Sequence, residues 1–197
     1  MNVLCQESVD PCKIHWNWRT ANELSWKQSV SRTKNLSNDE RQRLIAALTA
    51  QLRSVSGNTS EEELRSVAQK ARVKYVDLDG DGKSEVIIQA AGDTTCSPTG
   101  NCSIWVLRRS KNRYQIILDE DAQTFTVQSE SSHGFRDLLL TRHGSAFASD
   151  GELFRFDGQR YRLFKSFEVE WYSQAGDGSW DKRLDTPKLT NCRSEGE

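Results

Sequence analysis

The spacing of apolar positions changes character once along this chain, near Val73. Upstream of that point, Leu44, Ile45, Leu48 and Leu52 recur on one helical face, and Leu64, Val67, Ala68 and Ala71 recur on another. Both periodic stretches open on a capping box, Ser37 with Glu40 and Ser60 with Glu63, in which each side chain satisfies the other residue's free backbone N–H. The spacing therefore predicts helices over 38–54 and 61–71, separated by the breaker "SGNTS". Downstream, short β-rich runs take over: "VKYV", "EVIIQA", "SIWVLRR", "YQIIL", "TFTV", "RDLLLTR", "ELFRF" and "RYRLFKSFEVEWY". Turn signals part them at "DGDGK", "SPTGN", "SKNR", "SDG" and "DGQR".

Helices that precede strands, without alternating with them, argue for an α+β fold with antiparallel hairpins or a meander. Four regions follow. Residues 1–35 form an irregular aromatic segment, 36–72 a helical pair, 73–172 an antiparallel β domain, and 173–197 a C-terminal tail. The β domain reads as two repeats, 73–118 and 134–165, because "EVIIQ", a loop and "SIWVLRRSKNRYQIIL" parallel "RDLLLT", a loop and "ELFRFDGQRYRLF". Alternation puts Trp105 and Leu107 on one face of their strand and Ile104 and Val106 on the other. Both faces are thus apolar, and the sheet is expected to lie between the helices and its own edge segments. In the first region, Trp16, Trp18 and Trp26 are expected to plug a groove on the domain that follows. The alternative is an exposed binding surface.

Charge narrows the partners. With 27 Lys+Arg against 28 Asp+Glu, the net charge of −1 gives no electrostatic case for nucleic acid or an anionic membrane surface. No run approaches the roughly 18 apolar residues of a membrane span. The five cysteines match no paired zinc spacing. Cys96 and Cys102 flank a Pro/Gly/Asn turn that brings them together, which predicts a disulfide and an oxidising compartment. Cys12 could pair with Cys192 or Cys5, leaving one odd thiol.

The densest chemistry is "VDLDGDGKSEVIIQ", residues 76–89. Asp77, Asp79 and Asp81 stand at positions 1, 3 and 5 of a loop, Gly82 at 6, the Lys83 carbonyl at 7 and Glu85 at 9. Hard oxygen donors at alternating positions around a sharp turn are what a calcium ion requires. Position 12 is Ile88, inside a β-branched run that wants a strand, so the loop joins two strands and is not an EF-hand. This stretch resembles the calcium loop of FG-GAP/VCBS-type repeats, the D-x-D-x-D-G-x-x-[DE] hairpins of integrin-like propellers and many secreted bacterial proteins. The resemblance implies ligands from Asp77, Asp79, Asp81, the Lys83 carbonyl and Glu85, a structural Ca2+, and blade-like repeats. It covers about 15 residues strongly. No Phe-Gly…Gly-Ala-Pro signature precedes the loop, the second repeat lacks the acidic series, and two units cannot close a propeller.

Catalysis has a weaker case. His133, Asp137 and His143, with Ser131, Ser132 and Ser145 nearby, contain the residue types of nucleophilic catalysis. Yet no nucleophile elbow or zincin motif is present, and in a strand His133 and Asp137 stand about 13 Å apart. Metal-dependent hydrolysis at the acidic loop would draw further ligands from Asp93, Asp119, Glu120 or Asp121. The expected function is a non-catalytic, secreted or periplasmic binding domain whose partner is a protein or polysaccharide, acting as an adhesion module or an inhibitor of an extracellular hydrolase. A small hydrolase using His133, Asp137 and His143 is the alternative.

Overall fold

The computed structural model describes residues 22–23, 26, 28–93, 95–110, 113–145 and 147–194. Trp16, Trp18, Cys5 and Cys12 lie outside them. Two short strands, β1 (Asn22–Glu23) and β2 (Gln28–Ser29), precede helices α1 (Asn38–Val55) and α2 (Glu61–Lys70). Both helices start where the caps predict. The Ser37 hydroxyl accepts the Glu40 N–H while the Glu40 carboxylate accepts the Ser37 N–H, and Ser60 accepts the Glu63 N–H.

Nine strands follow: β3 (Arg72–Val76), β4 (Glu85–Gln89), β5 (Cys102–Ser110), β6 (Arg113–Ala122), β7 (Thr124–Ser132), β8 (Phe135–His143), β9 (Ala148–Phe156), β10 (Tyr161–Gln174) and β11 (Trp180–Ser194). Every named pairing is antiparallel. They make a five-stranded sheet, β2-β3-β4-β5-β6, and a six-stranded sheet, β1-β7-β8-β9-β10-β11. From β6 to β7 the chain passes from the five-stranded to the six-stranded sheet through a single residue, Gln123, whose N–H donates to the Thr141 carbonyl. A one-residue crossing bends the second sheet back over the first.

The result is three layers. Leu44, Ile45, Leu48 and Leu52 of α1 and Leu64 and Ala68 of α2 pack on Val86, Ile88, Trp105 and Leu107 of the five-stranded sheet. The opposite parity of the same strands, Ile87, Ile104 and Val106, packs against Phe125, Leu138, Leu140, Phe154 and Phe156 of the six-stranded sheet. The sheet expected to be covered by its own edge segments is instead covered by a second sheet. Long-range pairing builds that sheet, so local patterning could not show it. Of the aromatic residues on strands, Trp105 and Tyr114 belong to the helix-side core and Phe154, Phe156 and Tyr161 to the inter-sheet core. The region from 173 onward, read as a tail, contains the 15-residue strand β11, which pairs with β10 across three register shifts. Its apolar positions are sparse because β11 is an edge strand.

Cys96 and Cys102 form the expected disulfide and share a β-bridge. Cys192 is disulfide-bonded as well.

Candidate metal-binding loop

The loop between β3 and β4 is held open by its own backbone. Asp77 is the anchor: its Oδ1 accepts the Gly80 N–H at 2.7 Å and its Oδ2 accepts the Gly82 N–H at 3.0 Å. Asp79 accepts the Asp81 N–H, and Asp81 accepts the Lys83 N–H. This run of bonds curls the chain around its carboxylates, and it requires left-handed backbone at Gly80 (φ 73°) and Gly82 (φ 82°), which a Cβ disfavours. Glu85 opens β4 and is 5 % exposed, with one oxygen accepting the N–H of buried Leu78 at 3.0 Å. The Leu78 carbonyl in turn accepts the Arg136 N–H at 2.8 Å, which ties the loop to the six-stranded sheet.

These contacts bring one oxygen each from Asp77, Asp79 and Glu85 within 4.8 Å of one another. Such a donor set is all hard oxygen and suits a divalent cation that prefers carboxylate and carbonyl ligands. Asp81, also expected as a ligand, is not in this group; its carboxylate turns to the Lys83 N–H and lies 3.6 Å from Lys83 Nζ. The sequence spacing put four acids in the loop, and the fold gathers three of them. Burial pushes the Glu85 carboxyl above its ordinary value, opposed by the Leu78 N–H and reinforced by the charges of Asp79 and Asp81. The Lys83 N–H holds Asp81 below its ordinary value.

Arg108, on β5, is a residue that sequence reasoning missed. Its guanidinium stands 3.6 Å from Asp79 Oδ2 and 5.1 Å from the centre of the Phe135 ring. No local signal announces this contact, because strand register places residues 29 positions apart in sequence side by side. Arg108 and Arg109 join Asn35, Tyr75, Asp79, Asp81, Lys83 and Glu85 in lining a cleft of about 750 Å3 beside the loop. Arg109 pairs with Glu40 at 2.5 Å on the helix side.

The hydrolase candidates are not brought together. His133 sits in the β7–β8 turn with φ 48°, and its Nδ1 lies 2.8 Å from the Phe156 carbonyl oxygen. Asp137 is buried, with Arg155 Nε 3.1 Å from its Oδ2. His143 ends the same strand, its backbone bonded to the Asn101 side chain. From His133 to His143 is about 30 Å along an extended strand. Trp26, offered as a binding residue, packs half-buried against the inter-sheet core. Comparison with family models, characterised proteins and solved structures found no match.

Proposed function

We propose that this protein is a non-catalytic binding domain of the secreted or periplasmic compartment, stapled by a structural calcium ion in the β3–β4 loop. The observation that carries the reading is the convergence of Asp77, Asp79 and Glu85 within 4.8 Å on a loop whose glycines permit it. A bound Ca2+ supplies charge neutralisation here and no reaction: it holds β3 to β4 and, through Leu78, fixes the loop against β8. The chain's carboxylates bind the ion, and the glycines let the backbone turn around it.

In this reading the two repeats, 73–118 on β3 to β6 and 134–165 on β8 to β10, are the blade-like units that the resemblance to FG-GAP/VCBS repeats implies, packed face to face. The partner is a protein or a polysaccharide, as suits an adhesion module or an inhibitor of an extracellular hydrolase. The separation of His133 from His143, and the pairing of Asp137 with Arg155, support the non-catalytic assignment over the hydrolase. The Cys96–Cys102 bond is compatible with an oxidising compartment.

The test is capture. Immobilised protein in calcium is exposed to a culture secretome and eluted with chelator. Wild type and His133→Ala are expected to release the same partner. A hydrolytic activity that wild type carries and His133→Ala lacks would contradict the proposal.

A further inference from the structure

The cleft beside the loop opens where β4 and β5 diverge. Their ladder ends at Val86 opposite Leu107, whereas β5 runs on to Ser110 paired with β6. Arg108 and Arg109 line the cleft from that extension of β5, and Lys83, Ser84 and Glu85 line it from the loop side. Its volume of about 750 Å3 is that of a ligand site, but of its ten lining residues Val86 is the one aliphatic and Tyr75 the one aromatic. Sites for apolar ligands, of about 300–1,000 Å3, are mostly apolar. This lining suits instead a ligand rich in hydroxyl and charged groups, which the Asn35 amide and the Tyr75 and Ser84 hydroxyls can hydrogen-bond.

The charges of the lining cancel when no ion is bound: Asp79, Asp81 and Glu85 stand against Lys83, Arg108 and Arg109. Asp79 and Glu85 also belong to the group of three converging carboxylates, so a cation held there becomes part of the cleft wall. A divalent ion then leaves the lining with an excess of two positive charges. Arg108 feels the change most. Its carboxylate partner among the described residues is Asp79, 3.6 Å away, whereas Arg109 keeps Glu40, which lies outside the lining. Once Asp79 serves the ion, the Arg108 guanidinium, 44 % exposed, has lost its counter-charge. A single planar guanidinium fork is matched by a single carboxylate.

We infer that this cleft binds the uronate units of an acidic polysaccharide, with Arg108 pairing the sugar carboxylate, and that calcium in the β3–β4 loop switches this binding on. The inference rests on the calcium reading above and narrows its partner to one chemical class. The ion releases Arg108 from Asp79, and the uronate charge offsets the repulsion between Arg108 and the ion. By linkage, each ligand tightens the other by the same factor. No covalent bond is made or broken.

Titration calorimetry of the wild-type protein with a galacturonic acid trimer, too short to gel with calcium, tests this. In saturating calcium the trimer is expected to bind about tenfold more tightly than in chelator. Its methyl ester, which lacks the charge, is expected to give no heat. Arg108→Met is expected to lose the trimer while still binding calcium, which separates this inference from the reading beneath it. Calcium heat in the wild type without trimer heat, or equal binding of the methyl ester, would overturn the uronate assignment alone. Absence of calcium heat would overturn the calcium reading and the switch with it. A glutamate tripeptide that binds as tightly as the trimer would assign the cleft to an acidic peptide and overturn the sugar.

Discussion

Replacing Arg108 with Met separates the two ways in which the acidic loop can be neutralised. Without an ion, the Arg108 guanidinium, 3.6 Å from Asp79, offsets part of the loop's negative charge. With an ion present, the same guanidinium is a like charge beside it. A cation about 2.4 Å from the carboxylate oxygens would stand roughly 6 Å from Arg108, and a double charge facing a single one repels by about 1.4 kcal/mol at that distance in water. That corresponds to about a tenfold change in affinity. The separation is close to the Debye length of about 8 Å at physiological ionic strength, where salt roughly halves the repulsion, so the full effect is read at low ionic strength. Met keeps the apolar stem over Phe135, so packing is largely retained.

Arg108→Met is therefore expected to bind calcium about tenfold more tightly by titration calorimetry. In chelator it should melt lower, because an ion pair and a cation–π contact together contribute about 1 kcal/mol, roughly 2–4 °C for a domain of this size. Opposite signs in the two conditions are the signature. Weaker calcium binding in the variant, or a higher melting point in chelator, would refute the reasoning.

Two further substitutions test the frame that carries the loop. Gly151→Ala drives its new methyl into the Phe167 ring, and overpacking of this kind is expected to cost about 1–3 kcal/mol, read as a lower midpoint in denaturant unfolding. Ser37→Ala removes one half of the α1 capping box and should cost about 1 kcal/mol, read as a lower midpoint in the same unfolding.

The helices were legible because their information is local: each cap and each apolar face is written within 18 residues. The strands were legible as strands for the same reason, and the alternation through Ile104, Trp105, Val106 and Leu107 showed that both faces of β5 are buried. What buries the inner face was not legible. The second sheet arises from the one-residue crossing at Gln123, which carries no turn signature. β11 was missed because "WDKRLDTPK" is charged and holds a proline, features that protect an edge strand and mask it from an apolar-pattern reading. In the loop, spacing identified the acids and both glycines. It could not foresee that Asp81 turns away toward Lys83, nor that Arg108 arrives from β5, because both depend on side-chain direction and register.

The central claim is that Asp77, Asp79 and Glu85 close on a divalent cation. Calcium titration by calorimetry, paired with thermal melts in calcium and in chelator, tests it on the wild-type protein. The account predicts one binding site and a stabilisation of about 2.7 kcal/mol when free calcium is a hundred times the dissociation constant, with both lost in Asp79→Ala. Titrations without heat, and melts that superimpose with and without calcium, would contradict it.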